Sequence, residues 1–183
     1  VDPAVATQLE SGGTPIAGIT TDFDGDTRNS TLPDIGADEG SFILLDVNPP
    51  AISYTPLSFI CDGSARTLTA TITDASGVPT SGAGLPVLYW KINAGAYSAA
   101  TATYVSGGTY SFTFGAGAVL GDVISYYVVA QDNAGTPNVG VYPAAGASGL
   151  SANPPAAATP PTTPSSYSIN GTMSGSYTVG ATG

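Results

Sequence analysis

The sequence has no histidine, a single cysteine, three basic residues and no long apolar run. Each scarcity removes a class of chemistry. Without histidine, serine–histidine and cysteine–histidine nucleophile systems are excluded within this chain, and so are imidazole metal sites. Cys61 is alone, so no disulfide can close inside the chain. It reads as a small buried hydrophobe or, more sharply, as half of an intermolecular disulfide. Only Arg28, Arg66 and Lys91 stand against thirteen acidic residues, for a formal charge of −10. Nothing here could neutralise a run of phosphates, so no nucleic-acid partner is expected, and acidic membrane surfaces are disfavoured. No stretch approaches the roughly 18 to 20 apolar residues of a membrane span, so no membrane insertion is expected. No glycine-rich loop joins a strand to a helix, which leaves nucleotide binding without support. The chain opens at Val1 inside a pattern and reads as a processed or excised piece.

What remains is apolar and rich in turn formers. Hydrophobic residues are 42% of the chain, with 24 glycines and 15 prolines. That is too apolar for a disordered chain and too rich in turns for a helical one. Charged residues are only 9%, which suits secreted or surface-layer material.

Residues 50 to 143 carry a period of two. Leu68, Ala70 and Ile72 alternate with Thr67, Thr69, Thr71 and Thr73, which predicts a half-buried antiparallel strand. Leu88, Trp90 and Ile92 alternate with Val87, Tyr89 and Lys91, and Tyr110, Phe112 and Phe114 share one face. The run V-I-S-Y-Y-V-V-A from Val123 to Ala130 is the most apolar strand, predicted to be central in its sheet. Turn signals recur about every 8 to 12 residues, the spacing of a β-sandwich. The predicted core is Leu68, Ile72, Trp90, Tyr126 and Val128. This segment is expected to be the only part that folds by itself.

The remaining segments look dependent. Residues 1–48 form an irregular acidic segment with short apolar pairs and no core of their own. Residues 144–166, rich in Pro, Ala and Thr, read as a semi-rigid extended linker. Residues 167–183 resume alternation and read as a strand segment that begins a further domain or docks on a neighbour. Tyr167, Ile169, Tyr177 and Val179 are its assembly residues, since an unpaired strand is a template for edge pairing.

Nine of the acidic residues precede residue 49. Asp22, Asp24 and Asp26 have the alternating spacing of hard-cation loops, with Gly25 easing the turn. An EF-hand fails, because its glycine and glutamate positions hold Thr27 and Pro33. Two readings stay open. One is a calcium loop in which Asp34, Asp38 or Glu39 adds a ligand. In the other, Arg28 pairs with a carboxylate and the aspartates cap turns. Asp62, Asp74, Asp122 and Asp132 all fall at predicted turns and read as turn caps.

The stretch Ile16 to Arg28 and the run Pro33-Asp34-Ile35-Gly36-Ala37-Asp38-Glu39 resemble the C-terminal end of right-handed parallel β-helix domains in large secreted proteins of the Bacteroidota. Ile52 to Leu57, Arg66 to Asp74, Tyr89 to Asn93 and Tyr126 to Asp132 resemble the immunoglobulin-like or fibronectin-III-like modules that follow such helices. The resemblance implies an all-β chain: an Ig-like antiparallel β-sandwich with an acidic N-terminal segment and a Pro-rich linker to a C-terminal strand. It also implies export by the type IX pathway, with an extracellular or outer-surface location on a bacterium.

The expected function is therefore non-catalytic: a spacer or subunit of an adhesin or filament. Its partners would be neighbouring domains of the same polypeptide or identical copies. The alternative is a carbohydrate-binding accessory module of a polysaccharide-degrading enzyme, in which exposed tyrosines stack on extracellular glycans.

Overall fold

Alternation turns into strands where predicted, and the strands form two antiparallel sheets. The computed structural model describes residues 5–171. Tyr177 and Val179, expected in assembly, lie outside the described residues. Among those residues there are thirteen strands and no helix. β1 (Ala6–Thr7) and β2 (Ile43–Leu44) pair in parallel in the N-terminal segment. β3 (Ala51–Ser53), β4 (Arg66–Thr73), β5 (Val87–Ile92), β6 (Ser98–Thr101), β7 (Thr103–Ser106), β8 (Thr109–Phe114), β9 (Val123–Gln131) and β10 (Val139–Tyr142) follow. β11 (Ser148–Ser151), β12 (Ala156–Thr159) and β13 (Ser165–Ser168) complete the set.

One sheet has the order β3-β4-β8-β7 and the other β10-β9-β5-β6. Their inner faces enclose one core, an arrangement compatible with a β-sandwich. From the first sheet come Leu68, Ala70, Ile72, Tyr110, Phe112 and Phe114; from the second, Leu88, Ile124, Tyr126 and Val128. The threonines of β4 face water. Each of the large side chains contributes roughly 1.5–3 kcal/mol by leaving water.

Three expectations need correction. Trp90 does not sit at the core centre. It lies within β5, half-buried, packed against the core from its margin with its ring 6.2 Å from that of Phe114. The centre is held by Tyr110, Phe112 and Tyr126, none more than 1% exposed. Cys61 is exposed, not buried, because it lies in a loop before β4.

The third correction concerns the chain after residue 143. Residues 144–166 are not an extended spacer. β11 and β12 pair as an antiparallel hairpin laid over the outer face of β9. Gln131 and Asn153 exchange two hydrogen bonds, at 2.7 and 3.0 Å, and the Tyr89 hydroxyl donates to the Pro155 carbonyl. Pro154 and Pro155 occupy the turn, and Pro160, Pro161 and Pro164 the connection to β13, where no ladder N–H is needed. β13 then pairs antiparallel with β9 from Ser165↔Tyr126 to Ser168↔Val123. It continues the edge that β10 leaves after Val128. Tyr167 and Ile169, expected to face a neighbour, are 4% and 2% exposed inside this core. Tyr167 approaches so closely that any Cβ at residue 115 would collide with its hydroxyl, and Gly115 sits there at φ +85.

The buried and half-buried tyrosines resist ionisation. Burial pushes Tyr127 up to about 12, and burial also raises Tyr54, Tyr89, Tyr97, Tyr110, Tyr126 and Tyr167. A folded value above the unfolded 10.0 favours the neutral form. The unfolded chain then holds fewer protons above that pH, so stability falls as pH rises. Stability should be complete below about pH 10 and lost progressively toward about pH 12. Tyrosinate absorbance and the far-ultraviolet sheet signal, followed together, should change in one cooperative step. A smooth titration near pH 10 with intact sheet structure would contradict this.

Candidate functional site

The acidic N-terminal segment has few backbone ladders, so its carboxylates take over the role of acceptors. Asp22 Oδ1 accepts the amides of Asp24 and Asp26 at 3.0 and 2.8 Å, and its Oδ2 accepts that of Glu39 at 2.9 Å. These bonds, that of Glu39 first, hold the Asp22 carboxyl below its ordinary value. Asp34, 3% exposed, accepts the amides of Ser11 and Gly40. Glu39 accepts those of Asn29 and Asp34 and stands 3.5 Å from the Arg28 Nε. Arg28 in turn donates to the carbonyls of Gly36 and Asp34. Asp24, Asp26 and Asp38 crowd the exposed side of the same loop. Desolvation first, then the charges of Asp22, Asp24 and Asp26, raises Asp38.

Of the two readings of this loop, the geometry favours turn capping with an Arg28 ion pair. The four expected calcium ligands do not converge. Both oxygens of Asp22 and both of Asp34 are committed to backbone amides, and among the described residues these aspartates form no group of three whose oxygens come together.

A different trio converges. Among the described residues, Asp46, Asp74 and Asp132 each bring a carboxylate oxygen within 4.8 Å of the other two. Asp46 lies in the connection from β2 to β3, Asp74 follows β4 and Asp132 follows β9. One end of both sheets and the N-terminal segment therefore meet at three carboxylates. Asp132 is 1% exposed, and its Oδ1 accepts the amides of Ala134 and Asn138. Asp74 Oδ1 accepts the amide and hydroxyl of Ser76. Asn138 Nδ2 bridges Asp132 Oδ2 at 2.7 Å and the Asp46 carbonyl at 3.1 Å. The Asp46 carboxyl is held below its ordinary value, chiefly by the Asn48 amide. Asp74 and Asp132 do cap turns, but the same turns present both to Asp46. No spacing signal in the sequence joins three residues so far apart. The only hint was an aspartate at the end of each of two predicted strands, Asp74 after the half-buried one and Asp132 after the central one.

The aromatic side chains on the outer face of the second sheet make no open platform. Tyr89 stacks on Tyr127 at 5.3 Å, and Tyr97 meets Tyr127 edge-on at 5.1 Å. Tyr127 is 2% exposed, with the β11–β12 hairpin alongside. Exposed apolar side chains occur at Phe59, Val119 and Leu120 in loops of the sandwich, and at Ile16, Ile19, Phe23, Leu32, Ile43 and Leu44 of the N-terminal segment. An open groove of about 430 Å³ runs between Ile16, Ile19, Arg28 and Pro33 on that side.

No protein-family model matches the chain, and no curated protein matches it.

Proposed function

We propose that this chain is a non-catalytic structural module of an extracellular or cell-surface protein, serving as spacer or subunit of an adhesin or filament. One observation carries the mechanical part. Ile60, before β4, and Ile169, after β13, form a parallel bridge. The Ile60 amide donates to the Ser168 carbonyl at 3.0 Å, and the Asn170 amide donates to the Ile60 carbonyl at 2.8 Å. The entering and leaving segments thus run side by side in the same direction. Tension applied between the two ends loads these bonds in shear, all together, where a hairpin would open them one by one. Ile169 is tied to the second sheet as well, through the Gly121 amide and the Asp122 carbonyl.

The sheet orders support an immunoglobulin-like assignment. β3-β4-β8-β7 against β10-β9-β5-β6 follows the A-B-E-D and G-F-C-C′ arrangement of that architecture, with Trp90 on the strand in the C position. The exposed aliphatic side of the N-terminal segment suits a neighbour in the same polypeptide or an identical copy. The bacterial outer-surface setting rests on the likeness of the Pro33–Glu39 run to β-helix ends.

Single-molecule pulling on the full chain between folded handle domains tests the mechanical reading. A distinct unfolding event is expected. Asn170→Pro, at an exposed position, removes one shear bond and should lower the unfolding force while changing the thermal midpoint little. Yielding without a resolved force event, or an unchanged force in Asn170→Pro, would count against it.

A further inference from the structure

Asp46, Asp74 and Asp132 place three formal negative charges within 4.8 Å. Such a group repels itself unless a cation compensates it. The chain has three basic side chains, and all are engaged elsewhere. Arg28 sits beside Glu39, Arg66 lies over the Tyr167 ring and donates to the Ser58 carbonyl, and Lys91 lies over the Tyr97 ring. A second observation is independent of the clustering. Asp46 Oδ2 is a fully buried atom, under 1 Å² exposed, with no hydrogen-bond partner. A buried carboxylate oxygen left without a donor or cation is costly, and natural structures rarely keep one.

We propose that Asp46, Asp74 and Asp132 hold a calcium ion that ties the N-terminal segment to both sheets. The donors are oxygens only, which selects a hard cation. Calcium–oxygen bonds of about 2.3–2.6 Å let oxygens on opposite sides of one ion stand about 5 Å apart. The trio fits inside that span, with water completing the shell. Magnesium, at about 2.0–2.1 Å, would require a tighter cage. The site is held ready by its neighbours. Asn138 fixes Asp132 and the Asp46 backbone together, and Ser76 fixes Asp74. The ion would bridge the end of β4 in one sheet, the end of β9 in the other and the strap that leads in from β2. This inference stands apart from the mechanical reading, since neither needs the other.

The test is calcium titration of the full chain by calorimetry, together with thermal unfolding in calcium and in chelator. One calcium per chain and a midpoint that climbs with calcium concentration are expected. Asp46→Asn and Asp74→Asn keep the size and one carbonyl oxygen of each side chain, so folding should survive. Each should weaken calcium binding by about tenfold or more, because affinity follows ligand charge. The double variant Asp24→Asn/Asp26→Asn should bind as the unaltered chain does. Absence of binding heat and of any midpoint shift would overturn the proposal. So would equal stabilisation by sodium at matched ionic strength, or loss of binding in the Asp24/Asp26 variant with retention in Asp46→Asn. If either single variant fails to fold, calcium-dependent protection of the 44–50 backbone from hydrogen exchange in the unaltered chain decides instead, and equal exchange with and without calcium overturns it.

Discussion

A chain ended after Tyr142 should be far less stable than one ended after Gly171. The shorter chain lacks β13 and with it Tyr167 and Ile169, both buried against the core. Losing a large core side chain costs about 2–5 kcal/mol, so losing two removes on the order of 5 kcal/mol or more. Whole domains have only about 5–15 kcal/mol to lose. Phe114 and Tyr126 would be left facing a void where the Tyr167 ring stood 6.1 and 6.2 Å away. The edge of β9 from Val123 to Tyr126 would also be bare. Urea unfolding and amide dispersion of the two chains compare them directly. Equal midpoints would mean that β13 is peripheral and that the sandwich needs nothing after residue 142.

Tyr126→Ala should be among the most damaging single substitutions in the core. Its ring is 0% exposed and packs against Tyr54, Phe114 and Tyr167. The hole alone costs about 3–5 kcal/mol. Its hydroxyl also accepts the Leu57 amide at 2.8 Å, so the truncation orphans a donor. Tyr126→Phe isolates that bond and should cost about 1–3 kcal/mol. Tyr167→Phe is the matched contrast. The Tyr167 hydroxyl is buried without a partner, so removing it should leave stability unchanged or raise it. Chemical denaturation of the three variants measures all of this. Equal losses for the two Tyr→Phe changes would show that the Leu57 bond contributes nothing.

The strands that were legible in the sequence are those with one wet face. Leu68, Ala70 and Ile72 against four threonines, and Tyr110, Phe112 and Phe114, announce their inner face by alternation alone. β9 was legible for the opposite reason. An unbroken apolar run needs cover on both sides, and the β11–β12 hairpin supplies the second. What covers it was not legible, because prolines between 154 and 164 read as a spacer by composition. Their fixed backbone suits a turn over a sheet equally well, and only the pairing partner decides. Trp90 misled because side-chain size says nothing about how deeply a strand position is buried. Asp22, Asp24 and Asp26 misled because close spacing in sequence also suits the capping of backbone amides. The Asp46, Asp74 and Asp132 group was hidden because its members meet only after both sheets have closed.

The pairing of β9 with β13 also sets an order of events in time. A chain made from its N-terminus has β4, β5, β8 and β9 in hand well before residue 165 appears. Until then the Val123–Tyr126 edge has no lasting partner, and the pocket for Tyr167 stands open. Closure between residues far apart in sequence is slow, and a bare apolar edge invites the wrong strand meanwhile. The hairpin of β11 and β12, already lying on the outer face of β9, shortens that wait. It delivers Ser165 to the open edge within a few residues of its own last strand.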